Sequence, residues 1–187
     1  RLARAWRTVL SHHSLLRAAF LDDGRQRVLP EPASDGLIVH DLRGADADAV
    51  ADRLAQLREK LSHRRFAVEQ GKLAGLELCL LPDGRTRLFF DIDLLVADVQ
   101  SFCIVLRDLS AAYVRGAVPP APETWRFSDY LARKSARENA DRERDAAYWA
   151  ERLPELPGAP ALPLKRNPEE VLRATYHRRL FFLSAEV

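Results

Sequence analysis

Methionine is absent from this sequence of 187 residues, and cysteine occurs only twice. Leu2, Ala5, Trp6, Val9 and Leu10 recur at helical spacing from the first residues onward. Together with the missing methionine, that pattern predicts a piece cut from a longer protein, with both ends truncated. Cys79 and Cys103 stand in apolar segments without metal-ligand spacing, so both are expected as buried free thiols in a reducing cytosol, with no metal site. No apolar run approaches the ~18 residues of a membrane span. Arg1-Leu2-Ala3-Arg4 does not open a secretory signal. Neither sign of charge dominates: 29 basic and 27 acidic residues are interspersed, for a formal charge of +2. That balance removes the electrostatic case for nucleic acid or an anionic membrane. No glycine-rich loop follows a strand, which argues against P-loop and dinucleotide folds. Internal repeats and low-complexity segments are also missing. What remains is a cytoplasmic domain with 47% hydrophobic and 30% charged residues, ordinary for a packed globular chain.

Periodicity places the elements. After the first helix, residues 15–21 read as a strand, Asp22-Asp23-Gly24-Arg25 as a turn and residues 26–30 as a return strand. Residues 37–40 form a short apolar strand. Val50, Leu54, Leu57 and Leu61 set a helix over residues 46–62. Pro82-Asp83-Gly84 joins strands 76–81 and 85–93 in a hairpin. The second of these alternates Leu88, Phe90 and Ile92 against Phe89, Asp91 and Asp93. Carboxylates beside a buried sheet need a partner or water. Asp98 opens a helix to about Val114 with an apolar stripe of Phe102, Val105, Leu106, Leu109 and Tyr113, closed by Gly116. A charged helix follows over residues 128–152, then a proline-rich stretch, then an alternating strand over residues 176–183. Strands and helices mixed in this order predict an α/β fold, an α+β sandwich rather than a doubly wound sheet.

Several segments, taken in order, resemble the heterocyclization domains of nonribosomal peptide synthetases, relatives of condensation domains. His13-Ser14-Leu15-Leu16-Arg17-Ala18-Ala19-Phe20 with Asp23-Gly24-Arg25-Gln26 resembles that family's HxxLRxxF strand and its DG-Q turn. Asp93-Leu94-Leu95-Val96-Ala97-Asp98-Val99-Gln100-Ser101 resembles the DxxxxDxxS signature that stands where condensation domains carry HHxxxDG. Phe127-Ser128-Asp129-Tyr130, Tyr148-Trp149, Leu153-Pro154, Pro160-Ala161-Leu162-Pro163-Leu164 and the pair Arg178-Arg179 resemble the segments that follow. Each is weak alone; the ordered set covers nearly the whole chain. His12-His13 looks like half of HHxxxDG, but Arg17 and Ala18 break that motif. These histidines are expected at a helix end, as cations facing the last carbonyls.

The resemblance implies a chloramphenicol-acetyltransferase-like lobe, one half of a two-lobed condensation-type domain. Residues 1–153 would be the amino-terminal lobe, 154–168 a connector, and 169–187 a last strand leading toward the missing carboxy-terminal lobe. It also implies donor and acceptor carrier proteins, a neighbouring adenylation domain, and substrates tethered by phosphopantetheine, with no cofactor bound by this lobe. An acceptor Cys, Ser or Thr amine attacks the donor thioester. The side-chain thiol or hydroxyl then closes on the new amide, and loss of water gives a thiazoline or oxazoline. A threonine and an aspartate implicated in dehydration belong to the other lobe, so this chain alone is expected to be inactive.

Asp93, Asp98 and Ser101 are the candidate catalytic residues, with Arg17 as structural support. Asp98 either transfers protons or holds the loop, as a helix cap with Ser101 or in an ion pair with Arg17. Asp93 acts as a base or positions the loop by hydrogen bonds. Ser101 bonds a substrate carbonyl or caps the helix. Arg178 and Arg179 are expected as surface or interface cations. The competing functions are a condensation lobe forming only the amide, and a non-catalytic interaction lobe. A free acyl-CoA transferase fits poorly, because Asp93 and Asp98 stand where it needs histidine.

Overall fold

Trp6 sets the centre of the core. Helix α1 (Leu2–His12) turns Ala5, Trp6, Val9 and Leu10 to one side, and all four are buried. That side packs on helix α3 (Val99–Arg115). The Trp6 ring meets Phe90 edge-on at 5.8 Å between centroids, and Phe90 in turn lies 4.8 Å from Phe102. Such aromatic pairs add to the stabilisation from buried area alone. The computed structural model describes residues 1–118, 127–158 and 163–171. The chain divides into two compact units, Arg1–Ser135 and Ala136–Val187.

In the first unit, His13 leaves α1 in an extended conformation and Ser14–Arg17 forms a 3-10 turn. The strand expected over residues 15–21 is therefore shorter: β1 spans only Ala18–Phe20. A short apolar run fits either a turn of helix or a strand, and here the Leu16 N–H donates to the His13 carbonyl at 3.1 Å. That turn buries Leu16 in the core. Strand β1 pairs antiparallel with β2 (Gln26–Val28), as its turn signal predicts.

A second sheet has the order β3-β4-β5, with β3 (Leu37–Asp41) parallel to β4 (Ala74–Leu80) and β4 antiparallel to β5 (Thr86–Ile92). Helix α2 (Ala47–Ser62) makes the parallel crossover, and its cap Asp46 accepts the Ala49 N–H at 2.8 Å. Leu76 faces the core of α1 and α3, whereas the next residue, Glu77, faces the other way yet is completely buried. Its carboxylate accepts from His40 Nε2 at 2.7 Å and from Arg64 Nη2. Arg64 Nη1 reaches Asp91 at 3.1–3.2 Å. Thus the carboxylate anticipated on β5 is paired, which offsets the cost of its burial. Burial works to raise the Glu77 carboxyl, but the hydrogen bonds from His40 and Arg64 outweigh it and hold the group below its usual value. Burial pushes Asp91 up, with Arg64 opposing. Gly75 makes room for this cluster: a Cβ there would fall on Arg64 Nη1 and lie 2.5 Å from Asp91 Oδ1.

Two expectations for α3 need correction. Its buried face is Val105, Asp108, Leu109, Ala111 and Ala112, while Leu106 and Tyr113 are 37% and 43% exposed. Successive helical residues turn by about 100°, so a face centred on Val105, Asp108, Leu109 and Ala112 leaves Leu106 and Tyr113 outside the contact with α1. Cys79 is buried as expected, but Cys103 is exposed because it lies on that same outer side of α3. Gly116 ends the helix in the left-handed region, at φ +80°.

Helix α4 (Phe127–Arg152) begins in the first unit and continues into the second. The second unit also contains 3-10 turns at Leu153–Glu155 and Pro168–Glu170. The described parts of the proline-rich stretch are exposed. The expected strand over residues 176–183, with Arg178 and Arg179, lies outside the described residues. No described helix is long and apolar enough to cross a membrane.

Candidate functional site

Strand β5 delivers Asp93 to the start of a tight turn. The Asp93 N–H donates to the Leu73 carbonyl at 2.8 Å, its Oδ1 accepts the Leu95 N–H at 2.9 Å, and its own carbonyl accepts the Val96 N–H at 3.1 Å. An aspartate bonding the backbone two residues onward is a turn-former. Its side chain therefore shapes the loop, one of the two roles set out for it.

Asp98 then caps α3. Its Oδ1 accepts both the backbone N–H of Ser101, at 2.8 Å, and the Ser101 hydroxyl, at 2.7 Å. These two bonds from Ser101 hold the exposed Asp98 carboxyl below its ordinary value. A carboxylate stabilised in this way is a poor proton acceptor near neutral pH. The expected ion pair between Asp98 and Arg17 is not formed. Arg17 belongs to the 3-10 turn rather than to a strand, and its Nη1 donates to the carbonyls of Leu29 and Pro30. Arg17 thus ties the β1–β2 hairpin together; its Nε is buried without a hydrogen-bond partner.

The loop and α3 form one side of a pocket of about 260 Å³. Leu15, Leu16, Ile92, Val96, Val105 and Phe127 give it apolar walls, and His13 and Ser101 supply polar groups. Asp93 and Asp98 shape this pocket without lining it. Outside the pocket, Leu94 and Val99 are 81% and 80% exposed, an apolar surface flanking the two aspartates.

His13 departs from its expected role. Its backbone N–H does reach a helix carbonyl, that of Val9, but its ring bonds Asp108, with Nε2 3.0 Å from Oδ2. Burial, and then the neighbouring His12, lower the His13 pKa, with Asp108 opposing. The lowered pKa favours the neutral ring, and the ring bonds Asp108 rather than the last carbonyls of α1. Asp108 is 2% exposed, and its other oxygen accepts Nε and Nη2 of Arg107, each at 3.0 Å. Sequence reasoning missed Asp108. The available signal was its position at i+3 from Val105, on the buried side of an amphipathic helix. Donor atoms of His12, His13 and Asp108 lie within 4.8 Å of one another. Both Asp108 oxygens are already engaged by protein donors, so no cation is assigned there.

Comparison with known proteins identifies the family and the fold. Residues 1–187 match the Condensation domain family along the whole chain. Pyochelin synthetase PchE of Pseudomonas aeruginosa is 42% identical over 187 residues, 99% of this chain and 13% of that protein. Phenyloxazoline synthase MbtB of Mycobacterium bovis is 38% identical over 183 residues, 95% of this chain and 13% of its own length. The EpoB cyclization-docking bidomain from Sorangium cellulosum superposes with a TM-score of 0.81 at 32% identity, over 92% of this chain and 34% of that one. The chain belongs to the condensation-domain family, as an amino-terminal lobe of the heterocyclization type with a chloramphenicol-acetyltransferase-like fold. It spans about 13% of the length of these two curated relatives.

Proposed function

We propose that this chain forms half of a heterocyclization active site. The whole site joins a carrier-bound acyl donor to carrier-bound Cys, Ser or Thr and then removes water to leave a thiazoline or oxazoline. One observation carries this: the Asp93-to-Ser101 signature folds as a turn and helix cap beside an apolar pocket. The likeness to a phenyloxazoline synthase and to a cyclization bidomain supports ring formation over amide formation alone. Both substrates arrive on phosphopantetheine arms, so tethering supplies much of the orientation that a bimolecular reaction lacks. In this assignment Asp93, Asp98 and Ser101 hold the loop beside the pocket, and Arg17 steadies the adjoining hairpin.

The exposed Leu94 and Val99 fit a surface covered by the second lobe. Residues 1–153 serve as the lobe, 154–168 as its connector and 169–187 as the path to the second lobe. Donor and acceptor carrier proteins and an adenylation domain complete the assembly, in the cytoplasm. The test is to load the carriers of the intact synthetase and follow the acceptor-bound species by mass. The expected result is an amide product that then loses one water. An amide that never loses water points to condensation alone, and absence of transfer from a folded, loaded protein points to an interaction lobe.

A further inference from the structure

Of the polar groups on the pocket wall, His13 is held in a way that the capping of α3 does not use. Asp108 behind it is a carboxylate and accepts, so the imidazole proton sits on Nε2 and the Nδ1 lone pair is left free. Among the described residues nothing hydrogen-bonds Nδ1. The His13 side chain is 24% exposed, whereas that of Asp108 is 3% exposed and fixed from its other side by Arg107. An imidazole backed by a buried carboxylate and fronting an apolar pocket is the arrangement of a general base with its orienting group. Asp98, by contrast, is occupied by two bonds from Ser101.

We propose that His13, oriented by Asp108, is the proton acceptor of this pocket during amide formation. The inference rests on the condensation step proposed above. The acceptor's neutral amine nitrogen attacks the donor thioester carbon. A C–N bond forms and the C–S bond breaks. The amine proton passes to Nδ1 of His13, and the resulting imidazolium returns it to the departing phosphopantetheine sulfur. The sum is one amide and one thiol, with His13 neutral again and no oxidation or reduction.

The charged and titratable groups facing His13 are His12 from α1 and Arg107 and Asp108 from α3. Burial, His12 and Arg107 hold the ring below its ordinary value, against the pull of Asp108. The base form exists above that pKa, so the rate falls as pH drops through it.

The experiment measures single-turnover amide formation by the intact, carrier-loaded synthetase across about pH 5 to 8. It compares wild type, His13→Gln and Asp108→Asn, with a thermal melt of each. Glutamine can still donate to Asp108, so His13→Gln keeps the link between α1 and α3 while removing the base. The expected result is a rate about 100-fold lower or worse, with the acid limb abolished and the melt retained. Asp108→Asn removes the group that raises the His13 pKa, so its acid limb moves to lower pH. A folded His13→Gln protein that keeps the wild-type rate, or keeps the acid limb, overturns the inference and leaves the condensation reading standing. Should His13→Gln fail to fold, an Asp108→Asn profile identical to wild type overturns it instead. A wild-type protein that forms no amide overturns both readings together.

Discussion

One oxygen of Asp98 accepts two hydrogen bonds from Ser101, the backbone N–H at 2.8 Å and the hydroxyl at 2.7 Å. The first satisfies an orphan donor at the start of α3; the second fixes the serine rotamer at the pocket wall. Asp98→Asn keeps an acceptor for both, whereas Asp98→Ala keeps neither. Asp98→Ala is expected to lower the denaturation midpoint and abolish product, and Asp98→Asn to keep the midpoint and most of the activity. Denaturant titration and product mass measure the two effects. Loss of all activity in a stable Asp98→Asn protein would move Asp98 from positioning to proton transfer.

The same pair fixes the sign of a pH effect. The Asp98 carboxyl is held below its unfolded value, near 3.9, so its contribution to stability is present above that value. It is lost as pH falls through the lower, folded value. Relative to Asp98→Asn, wild type is expected to lose stability as pH drops below about 4, and to show no difference in pH response near 7. Melts of the two proteins at several pH values check this.

Glu77 is expected to be among the most sensitive positions. Removing it leaves Arg64 with Asp91 as its remaining carboxylate and takes from His40 its Glu77 bond, and breaking a buried ion pair in this way costs about 3–5 kcal/mol. Glu77→Ala is therefore expected to unfold at a much lower denaturant concentration, with Glu77→Gln intermediate because the amide still accepts one bond. Equal stability of all three proteins would show that the network contributes nothing.

Gly75 and Arg64 should be coupled. A methyl group at position 75 displaces the Arg64 guanidinium from Glu77 and Asp91. Gly75→Ala and Arg64→Met each destabilise alone, but in combination the second change adds little, because the contact it removes is already gone. A double-mutant cycle is expected to give a coupling of about 1–3 kcal/mol. Additive effects would mean that Gly75 acts through something else.

Lysine at Leu94 or Val99 separates folding from assembly. Both side chains are about four-fifths exposed, so either change should leave the stability of this lobe within about 0.5 kcal/mol. Burial of a lysine under a second lobe costs far more, so cyclised product from the intact synthetase is expected to fall sharply. Unchanged activity would take these residues out of the interface between lobes.

Periodic segments were legible from sequence. The helices over α1, α2 and α3, the two hairpins, the cap Asp98 and the stop at Gly116 follow from local chemistry that needs no tertiary context. The errors arise where a distant element decides. Residues 14–17 can turn or extend, and packing of Leu16 into the core formed with α1 and α3 settles it. Leu106 and Tyr113 fit an apolar stripe as well as Ala112 does, until α1 selects which side of α3 is covered. The Arg17 guanidinium finds nearer carbonyls in its own hairpin than any carboxylate on α3. At the site, the turn and cap roles of Asp93 and Asp98 were among the alternatives set out. The link from His13 to Asp108 joins residues 95 positions apart, a separation that spacing along the chain does not reveal.

The parallel pairing of β3 with β4 also shapes how this chain assembles. Each hairpin closes through a few intervening residues, but β3 and β4 meet only after residues 42–73 have been traversed and α2 has formed. Such nonlocal closure is slow, because its entropy is lost before any contact is gained. Until β3 arrives, the β4–β5 hairpin carries an open edge on an apolar strand, with Glu77 lacking the His40 hydrogen bond that later satisfies it. An ionised glutamate on that bare edge opposes stacking of one unfinished chain on another.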